Sequence, residues 1–201
     1  MTFEELKALD HQYTMQTYGR FDVALDHGKG ATLYGLEGEV YTDFASGIGV
    51  ASLGYGHPAW VKAVSEQAQK LQHASNLFYT EPYAKVAEKL CKRTGMAAVF
   101  FANGGGEANE GIIKLARKYS FDKYGMGRST IITLHNSFHG RTITTLQATG
   151  QDVFHQYFFP FTEGFRYADA NDLDSVKAQA DDTTCAVMLE LIQGEGGVLP
   201  L

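Results

Sequence analysis

Cysteine is scarce in this sequence: Cys91 and Cys185 are the only two among 201 residues, too few for the disulfide framework of a small secreted domain. Long apolar runs are absent, so no segment is expected to cross a bilayer. The opening residues, Met1-Thr2-Phe3-Glu4-Glu5-Leu6, offer neither the basic nor the apolar region of a secretory leader. Positive charge is the scarcer sign, with 17 Lys and Arg against 23 Asp and Glu for a formal charge of -6. No Lys/Arg stripe interrupts that balance, so a nucleic-acid partner lacks its electrostatic footprint. Internal repeats and low-complexity linkers are lacking too. A cytoplasmic protein with no membrane and no nucleic-acid partner is expected. What is present is an ordinary globular composition, 44% hydrophobic and 20% charged. The chain is long enough to bury about 70% of the surface that its unfolded form exposes.

Thr2 followed by Glu5 has the form of a capping box and predicts a short helix through about Thr14. Between Arg20 and Phe44 the pattern changes to short runs, Phe21 to Leu25, Ala31 to Tyr34 and Val40 to Phe44. With His27-Gly28-Lys29-Gly30 and Leu36-Glu37-Gly38-Glu39 as connections, they predict an antiparallel meander. A glycine-rich passage then ends at Pro58, which suits a first helical position and opens a helix to about Leu71. Its apolar residues Val61, Val64, Ala68 and Leu71 share a face, as do Tyr83, Val86, Ala87, Leu90 and Cys91 in the next helix, which Gly95 ends. Both faces are expected to lie on a sheet. The order onward is strand Ala97 to Ala102, helix from about Gly106 to Asp122, strand Thr130 to Leu134 and a helix from about Arg141. An aromatic strand near Phe154 to Phe161, a helix around Leu173 to Ala178 and a strand from Cys185 to Leu191 complete it. Such alternation predicts the α/β class: a mainly parallel sheet flanked by helices, with a small N-terminal antiparallel meander.

Ligands of parallel sheets gather outside the carboxyl ends of the strands, and three segments there carry chemistry. In Phe100-Phe101-Ala102-Asn103-Gly104-Gly105-Gly106-Glu107 a strand-like run passes through three glycines into a helix. The free N–H groups and dipole of such a helix N-terminus attract a phosphate. The spacing matches no dinucleotide fingerprint, since Asn109 stands where a third glycine is needed, and no Gly-Lys-Ser/Thr makes a P-loop. In Ser137-Phe138-His139-Gly140-Arg141-Thr142 an aromatic face suits a planar heteroaromatic ring, and the guanidinium three residues on suits a carboxylate. In Glu190 to Gly197, Glu190 interrupts an apolar strand and needs a polar partner, while Glu195 sits among glycines. Taken singly, each has a plainer reading: a tight turn for the glycines, core packing for Phe138, a surface charge for Arg141, a solvated loop carboxylate for Glu195. No metal-ligand cluster stands out.

Together, Asn103-Gly104-Gly105-Gly106-Glu107-Ala108-Asn109-Glu110, Phe138-His139-Gly140-Arg141-Thr142 and Gln193-Gly194-Glu195-Gly196-Gly197 resemble the class III aminotransferases, most closely the branch acting on acetylornithine. The match begins near Tyr34, includes Ser75-Asn76-Leu77-Phe78-Tyr79 and extends to Leu201. The resemblance implies a fold type I transferase dependent on pyridoxal 5'-phosphate, with amino acid and 2-oxo acid substrates. It implies that Gly104, Gly105 and Gly106 bind the cofactor phosphate, that Phe138 stacks on the pyridine ring and that Arg141 takes the substrate α-carboxylate. Glu195 matches a glutamate that pairs with a later arginine and helps the site accept both amino donors and 2-oxoglutarate. The segment Ser75 to Thr80 matches a loop at the interface of a homodimer. Residues 1–50 would be the helix and meander of the small domain, and 51–201 the first part of the large cofactor-binding domain. The chain departs from the pattern at Gly104, where serine is usual, at Gly106, where alanine is common, and at Leu191, where proline is common.

Pyridoxal phosphate chemistry also needs a lysine to carry the cofactor and an acid against its ring nitrogen. Lys62, Lys70, Lys85, Lys89, Lys92, Lys114, Lys118 and Lys123 fall on helices, where solvation or i,i+4 pairing explains them. Lys7, Lys29 and Lys177 are no better placed. The resemblance puts both missing groups beyond Leu201, so no catalytic residue is assigned within these 201 residues. The expectation is the front part of an aminotransferase moving an amino group from N-acetylornithine to 2-oxoglutarate in arginine biosynthesis, truncated and inactive alone. Two alternatives stay open: another class III ω-aminotransferase using ornithine, succinylornithine or 4-aminobutyrate, and an inactive relic.

Overall fold

Thr2 caps the first helix, α1 (Phe3–Tyr13): its hydroxyl accepts from Glu5 N at 3.2 Å, and the Glu5 carboxylate accepts from Thr2 N at 2.9 Å. This reciprocal pair satisfies two amides that the helix itself leaves unpaired. The computed structural model describes Met1–Leu201 and divides it into two compact units, Met1–Tyr83 and Ala84–Leu201. In the first unit, β1 (Leu25–Lys29), β2 (Thr32–Gly35) and β3 (Val40–Thr42) form the antiparallel meander in that order. β1 begins where the run from Phe21 was expected to end, and it takes in His27, Gly28 and Lys29, expected as a connection. Phe21 itself is 90% exposed. The reversal falls instead at Gly30, whose φ of 58° is open to glycine, while His27 stacks on Tyr34 across the ladder with ring centroids 4.5 Å apart. Gly28 leaves room for the Tyr55 ring, whose hydroxyl donates to Asp43 at 2.9 Å. The Ala45 amide first, then that hydroxyl and the Ser46 amide, hold the Asp43 carboxyl below its ordinary range.

A distorted turn, α2 (Ser46–Gly49), and the helix α3 (Pro58–Lys70) complete this unit, and α4 (Glu81–Thr94) runs across the unit boundary. Neither α3 nor α4 buries a residue, against the expectation that their apolar faces lie on a sheet. A 3.6-residue period specifies which side of a helix is apolar, and only a partner surface turns that side into core.

The second unit contains the parallel sheet. Its elements are α5 (Gly105–Tyr124), β4 (Thr130–Leu134), α6 (Ile143–Ala148), β5 (Phe165–Ala168), α7 (Leu173–Gln179), β6 (Thr184–Val187) and the two-residue strands β7 (Ile192–Gln193) and β8 (Leu199–Pro200). The strand order is β5-β4-β6, with both neighbours parallel to β4. β4 reads Thr-Ile-Ile-Thr-Leu because both of its faces are covered. Ile131 packs with Ile113 of α5 and Ala148 of α6, whereas Ile132 and Leu134 pack with Ala168 and, from α7, Val176. Burying each isoleucine contributes about 1.5–3 kcal/mol.

Two expected strands do not form. Ala97 to Ala102 pairs with no strand of the chain, and a strand exists only where a neighbour offers its row of donors and acceptors. The aromatic run from Phe154 to Phe161 follows a 3-10 turn (Asp152–Phe154), and its rings pack edge to face on one another, Phe159 on Phe161 and His155 on Phe161. Pro160 denies that run a ladder donor, and the ladder partner of β4 is the later segment Phe165–Ala168. The last expected strand is also shorter, since β6 stops at Val187 rather than at Leu191. The α/β class, the parallel sheet and the small antiparallel meander are as expected.

Candidate functional site

The carboxyl end of β4 is where the expected site residues meet. α5 starts there with Gly104 as its N-cap, and no side chain caps it. Ala108 N donates to Gly104 O at 3.0 Å, which leaves the amides of Gly105, Gly106 and Glu107 without an acceptor in the chain. A Cβ at Gly104 or Gly105 would meet no atom within 4 Å, so there is open space beside the start of the helix. Glu107 is folded away from them: its carboxylate accepts from Asn103 N at 2.9 Å and from Asn103 Nδ2 at 3.0 Å. Three free amides at the positive end of a 20-residue helix form a donor set that fits a phosphate.

The loop that leaves β4 is tied down on every side. Ser137 Oγ accepts from Gly150 N, and Phe138 N donates to Glu190 Oε2 at 3.0 Å. Glu190, which the sequence required to find a polar partner, has it here. His139 N donates to Thr149 Oγ1 at 2.9 Å, and His139 O accepts from Asn109 Nδ2 of α5 at 2.7 Å. Gly140 has φ 132°, and a Cβ there would lie 2.9 Å from Gly106 Cα; this close approach places the glycine turn of α5 against the Phe138–Arg141 loop. Thr142 then caps α6 through a capping box with Thr145 and donates to Glu110 of α5. The helix starts two residues later than the expected Arg141, which leaves Arg141 on the loop.

Phe138 is half-buried and meets Phe154 edge to face, with centroids 6.2 Å apart. The exposed Arg141 guanidinium lies 5.9 Å from the Phe138 ring and 5.7 Å from the Phe154 ring, a range at which a cation is attracted to both. Glu195 reaches the same loop indirectly: its carboxylate accepts from Gln151 Nε2 at 2.5 Å, and that nitrogen also donates to Ser137 O at 3.1 Å. Gln193, fully buried, donates to His135 O at 2.9 Å, and Gly196 packs so closely that a Cβ would lie 2.6 Å from Asn136 O. The structure therefore brings Gly104, Gly105, Gly106, Phe138, Arg141 and Glu195 to one strand end.

Phe154 and Gln151 were not foreseen. Phe154 was visible only as part of an aromatic run, and Gln151 carried no motif. His139 is a further surprise: its imidazole is buried, Nε2 has no partner, and burial pushes its pKa down to about 4. The paired lysines meet carboxylates about one helical turn away, as Lys92 does Glu88 and Lys118 does Asp122. A cavity of about 540 Å³ belongs to the first unit, between α1 and residues 16–25, and contains none of these residues.

Residues 13–201 match the family described as Aminotransferase class-III. The chain is 58% identical over 202 residues to the acetylornithine aminotransferase of Haemophilus ducreyi, covering 100% of this chain and 51% of that protein. It is 44% identical to the acetylornithine aminotransferase of Methanocaldococcus jannaschii, covering 98% and 50%. Among solved structures, an ornithine aminotransferase from Toxoplasma gondii, described with partial occupancy of PLP at its active site, superposes with a TM-score of 0.93 at 32% identity over 99% of this chain and 47% of that one. An N-acetylornithine aminotransferase from Stenotrophomonas maltophilia gives 0.74 at 40% identity over 96% and 46%. The chain spans about half the length of the curated relatives it matches. With the match running through the glycine turn, the aromatic–arginine loop and the Glu195 segment, the chain belongs to the class III aminotransferases.

Proposed function

We propose that this chain forms the phosphate cup and carboxylate-binding wall of a pyridoxal phosphate-dependent enzyme that moves an amino group from N-acetylornithine to 2-oxoglutarate, a step of arginine biosynthesis. The observation that carries the reading is the contact between Gly106 and Gly140, which sets three unpaired amides beside a ring and a guanidinium. The amides of Gly105, Gly106 and Glu107 hold the cofactor phosphate, with Gly104 leaving space for it. Phe138 covers one face of the cofactor ring. Arg141, ordered between two phenyl rings, grips the α-carboxylate in a fork that a single point charge does not supply. Glu195 adds a negative charge to the rim. When bound, pyridoxal phosphate supplies an electron sink for charge at the amine-bearing carbon. The lysine that carries the cofactor and the acid against its ring nitrogen belong, on the resemblance, to the half of the enzyme that this chain does not span.

Residues 1–50 then form the small-domain segment and 51–201 the first part of the cofactor-binding domain. The Ser75 to Thr80 loop faces a second subunit of a cytoplasmic homodimer. Identity favours acetylornithine as donor, whereas the higher superposition with an ornithine aminotransferase favours ornithine; Arg141 serves either, because both carry an α-carboxylate.

The test is amino transfer by the complete enzyme carrying this chain, with N-acetylornithine, ornithine and 4-aminobutyrate compared as donors to 2-oxoglutarate. The expected result is a preference for N-acetylornithine, and Arg141→Ala lowers its kcat/KM by roughly tenfold to a hundredfold, the equivalent of one charge-assisted hydrogen-bonded pair. Transfer from none of the three donors would leave the relic reading in place.

A further inference from the structure

We infer that Gln151 is a positioning residue: its side-chain amide holds the Glu195 carboxylate against the Ser137–Arg141 loop, and in doing so it sets how readily the site admits a substrate with two carboxylates. The inference rests on the aminotransferase reading and adds to it a residue with no motif.

Gln151 Nε2 has two hydrogens and both are used, one on Ser137 O at 3.1 Å and one on Glu195 Oε2 at 2.5 Å. One amide thus joins the carboxylate to the backbone of the residue that precedes Phe138. The positions from which both side chains extend are locked. Gly150, the residue before Gln151, bridges to His135, donates its N–H to Ser137 Oγ at 3.1 Å and accepts from Asn136 N at 2.8 Å. It approaches β4 so closely that a Cβ would lie 2.0 Å from Leu134 O. On the other side, Gln193 and Gly196 clamp the Glu195 segment to His135 and Asn136. The freedom left to the pair is in the side chains of Gln151 and Glu195.

The chemistry follows from charge. Arg141 and the three free amides of α5 prepare this strand end for anions, and Glu195 is a negative group on its exposed rim. A substrate with one carboxylate meets Arg141 and little repulsion. A dicarboxylic 2-oxo acid brings a second negative charge, and like charges at close range repel. Its binding requires Glu195 to be kept aside. A neutral amide does that with one charge-assisted hydrogen bond, and because its second hydrogen is anchored on Ser137 O, the carboxylate is held at one place on the loop.

The experiment uses the complete holoenzyme and reads the KM for 2-oxoglutarate against the KM for the amino donor. Gln151→Met keeps the length and removes the amide; Gln151→Glu keeps the shape and sets a like charge against Glu195. We expect Gln151→Met to raise the ratio of the 2-oxoglutarate KM to the donor KM by roughly fivefold and Gln151→Glu to raise it further, the scale of one exposed charge-assisted bond. In a Glu195→Ala background the same substitutions should leave the ratio where Glu195→Ala alone puts it. A ratio that stays put in both Gln151 variants, or one that rises equally without Glu195, overturns the inference while leaving the aminotransferase reading intact. Absence of amino transfer in the unsubstituted enzyme overturns the reading itself.

Discussion

The meander of the first unit and the strand end of the second both depend on glycine, but on different kinds of neighbour. At Gly28 the space of a missing Cβ is taken by a side chain, with Tyr55 Cγ at 2.7 Å. At Gly150 it is taken by backbone, with Leu134 O at 2.0 Å, and at Gly140 partly so, with Gly106 Cα at 2.9 Å. At Gly28, Tyr55 Cβ lies 2.8 Å from that point as well, so one residue must shift to make room, whereas a carbonyl in a buried strand moves only with its whole ladder. The strand end is packed at more points than the meander: its loop is held by side chains bonded to its backbone and, at Gly140 and Gly150, by the close approach of other backbone.

That contrast breaks most readily at Gly150. Gly150→Ala should lower stability by about 3 kcal/mol, the upper end of overpacking costs, seen as an earlier urea midpoint by circular dichroism. An unchanged midpoint would mean that β4 and the loop are not locked as described. Next in size is the buried His139. Its pKa is lowered from 6.5 to about 4, so the unfolded chain binds the proton first as pH falls. The stability that comes from keeping it neutral is complete above pH 6.5 and drains away between pH 6.5 and about 4, by up to about 3 kcal/mol. The difference in unfolding free energy between the native chain and His139→Asn should follow that slope and be flat above it.

Gly28→Ala tests the meander, where a single residue, Tyr55, has to yield. A cost of about 1 kcal/mol is expected, read from the fluorescence of Trp60, the only tryptophan, which lies in the first unit. A loss as large as that of Gly150→Ala would erase the distinction. The smallest effect sharpens it instead. Gly104 has an extended backbone, with φ -161°, and open space at its Cβ, so Gly104→Ser restores an N-cap hydroxyl without strain. It should stabilise the chain by only about 0.3 kcal/mol, with tighter retention of inorganic phosphate in a competition titration. Destabilisation would show that the open cup is occupied by structure after all.

Much of this was legible in local pattern. The bounds of β4, the capping box at Thr2 and the stop of α4 before Gly95 follow from hydrophobic runs and capping chemistry, which act within a few residues. The gathering of the site at strand ends was also foreseeable, because parallel sheets place their loops there. The strands expected at Ala97 to Ala102 and Phe154 to Phe161 failed for a shared reason: strand-forming side chains describe willingness, and pairing needs a second strand. Gln151 and Phe154 escaped notice, and the partner that Glu190 required could not be named, because each acts on a residue far from it in sequence, as Glu190 does on Phe138.

Which segments turn, cap and alternate, and which residue types stand ready for an anion, a ring and a carboxylate, is written in the order of the amino acids, since those properties reside in single side chains and their near neighbours. That Gly106 meets Gly140, that Gln151 holds Glu195 and that the apolar sides of α3 and α4 stay uncovered follows from the packing of the folded chain. Contacts between distant segments depend on which surfaces the fold brings within van der Waals range, and no local pattern encodes that choice.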